Sequence, residues 1–229
     1  MNMRSIPWVN ASLAALMVIG LGGCAAGVPN MAIDEGVRAQ THTVWINSVT
    51  MPASIDFFGQ SQSVAALAAG PLAALMDDKL SAEPKARLTR ELQDNHIDVS
   101  AMLKASFAKR VIAEASMRVI DSGPADAQID LVVNRYGFAI ARPGTATLYP
   151  LFGVSAIMKD AKGQVVWQGS DLMTAHHADN KEGHPLEDLL GNPEMLQRAL
   201  ATGGDLVSEM LVRNLMGLEA AQNVPGIQK

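Results

Sequence analysis

Cysteine, aromatic side chains and charge are all scarce in this chain of 229 residues. There is one cysteine, 4% of residues are aromatic and 18% are charged. A lone cysteine excludes an intramolecular disulfide, so the fold rests on packing and hydrogen bonds even in an oxidising compartment. A basic surplus is missing too: 18 Lys and Arg face 23 Asp and Glu, a net charge of −5. That balance argues against nucleic acid as a partner and against electrostatic attraction to anionic lipid heads. The apolar run near the N-terminus, Ala11 to Leu21, falls short of the about 20 residues that cross ~30 Å of hydrocarbon. Catalytic signatures are missing as well: there is no Gly-x-Ser-x-Gly elbow, phosphate-binding glycine loop, His-Glu-x-x-His or dinucleotide fingerprint. No internal repeat or long low-complexity tract interrupts the chain.

The N-terminal segment has three parts. Arg4 supplies a cation, Ala11 to Leu21 is almost wholly apolar, and the small residues Gly22 and Gly23 lead to Cys24. That order describes a secretory signal peptide. Leu21-Gly22-Gly23-Cys24 resembles the lipobox of bacterial lipoproteins, although that family more often has Ala or Ser where Gly22 stands. The resemblance implies cleavage before Cys24 and acylation, including palmitate, of its thiol and new amine. Each buried methylene contributes about 0.8 kcal/mol, so two or three acyl chains hold a protein on a bilayer where one does not. By analogy with lipoprotein sorting, Ala25 in place of Asp points to the outer membrane, with the chain facing the periplasm. The expected organisation is a signal peptide at 1–23, a lipidated tether at 24–42, one envelope domain at 43–217 and a flexible tail at 218–229. The 206 residues left after cleavage suffice for one domain that buries about 70% of its unfolded surface.

Periodicity supplies the elements. Thr43 to Met51 is rich in β-branched residues and ends at Pro52, so it reads as a first strand. Ser54 to Gln62 reads as a loop. Gln62 to Leu80 reads as helix interrupted at Gly70-Pro71, and a further helix starts near Ser81 with Pro84 in its first turn. After Asn95-His96, Asp98 or Ser100 caps an amphipathic helix whose stripe includes Val99, Leu103, Phe107 and Val111. Met117 to Ile120 suits a short strand. Gln128 to Ala141, Thr145 to Lys159 and Gln164 to Thr174 alternate as a three-strand meander, joined by turns at Arg142-Pro143-Gly144 and Asp160 to Gly163. A polar loop from His176 to Pro185 follows. Asn192 then caps a final helix with Pro193 at its first position and an unbroken apolar stripe. The expectation is an α+β fold: a small mixed or antiparallel sheet, made of the N-terminal strand plus the meander, with helices mainly on one face.

Three groups of residues invite a chemical reading. Ser106 and Lys109 match the Ser-x-x-Lys of serine acyl-enzymes, with Ser170-Asp171 and Lys181 as faint echoes of the later motifs. Leu172 and Glu182 stand where that pattern needs an amide and a hydroxyl, and Ser106 falls mid-helix. The match is therefore a coincidence of spacing. His176, His177, Asp179 and His184 crowd one loop and offer ligand types suited to zinc or copper. Neighbouring histidines point apart on an extended chain, however, so a solvated loop is expected and no metal or other cofactor is assigned. Arg135, Tyr136, Arg142 and Tyr149, with Trp45 and Trp167 facing outward, supply the residue types that anchor interfaces.

Ile97-Asp98-Val99 followed by Phe107, and the hairpin from Ile157 to Gly169, resemble small envelope lipoproteins. That group includes the curli secretion channel lipoprotein and the lipoprotein activators of peptidoglycan synthases. The resemblance implies an α+β domain that binds another envelope component. The expected role is a non-enzymatic binding or assembly factor, attached to the membrane through Cys24 and joined to an envelope protein partner. Two alternatives stand beside it: a lipid-transport auxiliary, and a metal-binding or hydrolytic protein using the 176–184 loop.

Overall fold

Thr43–Thr50 places Val44 and Ile46 inward and Trp45 outward, the period of two expected of a half-buried strand, and forms β1. In the computed structural model of the chain, residues 30–58, 71–141 and 144–218 are described. The further elements in chain order are α1 (Glu35–Gln40) before β1, then β2 (Asp56–Phe58), α2 (Pro71–Asp94), α3 (Val99–Glu114) and β3 (Arg118–Val119). After them come β4 (Ala127–Ile140), β5 (Thr147–Asp160), β6 (Val165–Met173), β7 (His184–Pro185), α4 (Leu186–Gly191) and α5 (Pro193–Leu215).

The strands make one mixed sheet in the order β3-β1-β4-β5-β6, with β2 also paired to β4 and β7 to β5. β1 runs parallel to both β3 and β4, whereas β4, β5 and β6 form the antiparallel meander. The carboxylate of Asp126 fastens the parallel pair at its start, accepting from His42 N at 2.9 Å, Thr43 N at 2.8 Å and Thr43 Oγ1 at 2.9 Å. The fold is α+β.

Alternation sets the inner face. Ile129, Leu131 and Val133 of β4, Val154, Ala156 and Met158 of β5 and Trp167 of β6 join Val44 and Ile46 in one buried cluster. The same cluster takes in Val99, Leu103, Phe107 and Val111 of α3 and Leu196, Leu200, Val207 and Leu211 of α5. Gly203 lets α5 approach the sheet, since a Cβ there would lie 2.8 Å from the Phe152 ring and 2.9 Å from Pro150 Cβ. Arg110 ties α3 to α5 through Asp205 at 2.6 Å and Glu209 at 3.0 Å, and reaches Glu114 of its own helix at 2.9 Å.

Several expectations need correction. Residues 30–42, read as tether, contain α1 and a two-way backbone contact between Met31 and Gln168 of β6. Asp34 starts α1 by accepting from Gly36 N and Val37 N, a capping signal that six residues of low apolar content hid. Asp56–Phe58 is strand rather than loop, and the polar loop contributes β7. Helix α2 runs through Pro84 instead of starting beside it. Trp167 is fully buried and donates to Asn214 Oδ1 at 3.3 Å, while Val165 is exposed. The register shift between Met158 and Lys159 separates those two residues, which simple alternation puts together. Residues 1–29, Gly59 to Gly70, Arg142, Pro143 and residues 219–229 lie outside the described residues, so the signal peptide, Cys24, the helix over 62–70 and most of the tail do too.

Candidate functional site

Helix α2 ends in a Schellman motif, and that ending shapes the site. His96 N donates to Gln93 O at 3.2 Å and Ile97 N to Leu92 O at 2.9 Å, with His96 in the left-handed region at φ 53°. Glycine usually holds that position, because an L side chain there is strained. Asp98 then turns the chain into α3, its side chain accepting from Ala101 N at 2.9 Å. Across from this corner, the β1–β2 connection brings Ser54 and Ile55, and β4 brings Tyr136.

Together they enclose an open cleft of about 430 Å³. That is within the roughly 300–1,000 Å³ of small-ligand sites. Ile55, Leu92 and Val99 form an apolar floor, buried beneath a rim of His96, Gln93 and Tyr136. Tyr136 is half-buried and packs 6.3 Å, centroid to centroid, from the Phe152 ring. Burial holds its phenol above the ordinary range, and the nearby Asp56 carboxylate adds to that. Asp56 is itself raised by burial, against the lowering pull of Arg135 and then Lys85. Arg135 lies 3.5 Å from Asp56 and stacks over the Phe58 ring at 5.1 Å. An apolar floor with a phenol, an imidazole and an amide at the rim suits binding of an amphipathic group.

Gly137 places β2 against that wall. It has φ 150°, and a Cβ there would sit 1.9 Å from Asp56 O, so only glycine permits the β2–β4 pairing.

The sequence candidates scatter. Tyr136 reaches the cleft wall, Arg135 pairs with Asp56 behind it, and Tyr149 packs against the backbone of Gly183. Arg142 lies outside the described residues. Trp45 is on the opposite side of the sheet and Trp167 in the core. Ser106 stays in the middle of α3, and Ser170 is on β6, where its hydroxyl accepts from Ser155 Oγ at 3.1 Å. In the histidine loop, His177 Nδ1 accepts from Asp179 N at 3.3 Å and His184 Nε2 lies 3.1 Å from Glu182 Oε2. Asn180 pins that loop, its amide donating to Pro150 O and Thr174 O, each at 2.9 Å. Among the described residues no three His, Cys, Asp or Glu side chains gather to hold one metal ion. Sequence reasoning missed the cleft because its walls come from segments read as a loop, a helix break and a cap. Asn95-His96 followed by Asp98 was the available signal.

No family model matches the chain, and no curated protein does. Solved structures similar to it include protein XCC0632 from Xanthomonas campestris, at 10% identity and TM-score 0.43, covering 81% of this chain and 91% of that one. The PelC dodecamer from Paraburkholderia phytofirmans is 12% identical at TM-score 0.31, covering 78% and 93%. Lipoprotein GNA1162 from Neisseria meningitidis is 15% identical at TM-score 0.24, covering 69% and 94%. Among the described residues no helix is long and apolar enough to cross a membrane.

Proposed function

We propose that the chain is a bacterial lipoprotein, cut before Cys24 and acylated there, whose domain faces the periplasm from the outer membrane and binds another envelope component in the cleft beside Tyr136. One observation carries the reading: the only cysteine ends an apolar leader in Leu21-Gly22-Gly23-Cys24, six positions before the first described residue, Asn30. A thiol placed there has an acylation site's surroundings, and the short distance to Asn30 keeps the domain at the membrane. The cleft supports a binding role, since its apolar floor offers burial and its rim offers donors and acceptors that set orientation.

Intact-mass analysis of the protein from a bacterial host tests the anchor. The expected mass is that of residues 24–229 plus acyl chains, and Cys24→Ala should accumulate as unprocessed precursor without label from radioactive palmitate. A bare thiol or a retained leader would sink the anchor. A photo-crosslinking residue placed at Gln93 should capture an envelope component in intact cells while one at Ile112 does not. Equal capture at both, or none at either, rules the cleft out as the binding surface.

A further inference from the structure

Strand β6 is an outer strand of the sheet, and the chain's entry onto it has a defined end. Met31 N donates to Gln168 O at 2.8 Å and Gln168 N to Met31 O at 3.3 Å. Two residues further along β6, Ser170 N donates to the side-chain oxygen of Asn30 at 2.8 Å, so a side chain continues the contact of this segment with the strand.

Asn30 lies six positions after Cys24, with five residues between them. Fully extended, that stretch spans at most about 20 Å. An acylated Cys24 therefore holds the β6 side of the sheet close to the lipid. Around that point β6 itself is uncharged from Gln164 to Ser170, while Lys159 of β5 stands opposite Val165 and Arg135 of β4 lies beside Leu172. Met31 is 36% exposed and Leu172 48% exposed, both on the side of the sheet away from the buried core, and Val165 is exposed on the same strand. Gln164 to Ser170 contains no charged residue, and Asp171 shares the inner face with Trp167 and Met173. Exposed edge strands in soluble proteins are usually guarded by charge. An uncharged edge with exposed Met and Leu, tethered within about 20 Å of a bilayer, fits the interfacial region, where apolar side chains enter about 5–10 Å.

We propose that the β6 edge rests on the bilayer surface, with Met31 and Leu172 inserted among the lipid headgroups beside the anchor; this rests on the lipoprotein reading above. The cleft of α2, α3 and β2 is built on the far half of the sheet, past β5, and stays open to the periplasm.

The test uses full-length protein purified in acylated form and reconstituted into phosphatidylethanolamine–phosphatidylglycerol vesicles. Because Cys24 is the only cysteine and acylation consumes its thiol, a cysteine introduced by Leu172→Cys, Met31→Cys or Ile112→Cys takes a single environment-sensitive fluorophore. The expected result is a several-fold fluorescence rise with a blue shift at positions 31 and 172, quenched by nitroxide-labelled lipid, and no change at position 112. An acylated, vesicle-bound protein whose probes at 31 and 172 stay as wetted as the one at 112 overturns the proposal and leaves the lipoprotein reading intact. A rise that nitroxide lipid does not quench and that grows with protein density assigns the face to a second copy and overturns it as well. Two fluorophores per chain, one of them on Cys24, overturn both readings.

Discussion

Asp171 sits on β6 opposite Val154, and its Oδ2 is shielded from water with no hydrogen-bond partner among the described residues. Burial pushes its carboxyl up to about 6 from an ordinary 3.8. A carboxyl raised on folding favours the protonated fold, so its contribution is full below about pH 4 and is lost as pH rises through about 6. Asp171→Asn should remove that loss. The expected gain is about 1–2 kcal/mol at neutral pH, kept below the full linkage value because part of the group remains in water, with no gain near pH 4. Urea unfolding at acidic and neutral pH measures it, and an equal effect at both pH values would show that the carboxylate is already solvated. Asp126 and Asp130 act in the opposite sense. Hydrogen bonds, from Thr43 first in one case and from Asn47 first in the other, lower their carboxyls, so their contributions are lost as pH falls below the usual carboxylate range. The residual pH dependence of the Asp171→Asn protein should therefore combine that fall on the acid side with the loss on rising pH from Asp56, whose carboxyl burial also raises.

At the scale of elements, two junctions decide the cleft. Gly137→Ala would drive a methyl into the Asp56 carbonyl, so β2 must leave β4 and take Asp56 from Arg135 and Phe58 from beneath the guanidinium. A loss of at least about 2 kcal/mol is expected, in the range of strain at a special backbone position. Hydrogen exchange at Asp56 to Phe58 should become fast while β5 stays protected; unchanged protection there would mean that β2 does not depend on Gly137. His96→Gly works the other way: it relaxes a left-handed C′ residue and should stabilise by about 0.5–1 kcal/mol. If thermal unfolding moves up while crosslinking from Gln93 falls, the imidazole has a use in the cleft that outweighs its strain. These junctions also show what the sequence made legible. Elements with a buried stripe or strict alternation, α3, α5 and the long meander strands, stood out because burial writes a period into the side chains. α1, β2 and β7 are two to six residues long, too short to show a period, and the two strands take their hydrogen bonds from partners far along the chain. Pro84 shows the converse: the sequence rule for a helix start was met, yet α2 continues through it. Tyr136 and Arg135 were recognisable as interface types, but only the bulge between Val133 and Arg135, which reverses the facing of β4, brings Tyr136 to the cleft side.

For the whole molecule, a single buried cluster joins the parallel strands, the meander and the helices α3 and α5. Neither half of the sheet has a core of its own, since β1 is covered by α3, β5 and β6 are covered by α5, and the two helices pack on each other. Such sharing predicts all-or-none unfolding rather than separate loss of the parallel and antiparallel parts. The protein offers two reporters at different depths: Trp45, 36% exposed on β1, and Trp167, fully buried on β6. With the proposed cleavage before Cys24, these are the tryptophans that remain, because Trp8 precedes it. Variants retaining only one of them should show emission at different wavelengths when folded, redder for Trp45. Their urea transitions should nevertheless share one midpoint with each other and with far-ultraviolet circular dichroism. A Trp45 transition that precedes the Trp167 transition would mean that β1 and α3 come away before α5 and the meander. In that case the cleft, whose floor includes Val99 of α3, would open by local unfolding and the shared core would not be what holds its shape.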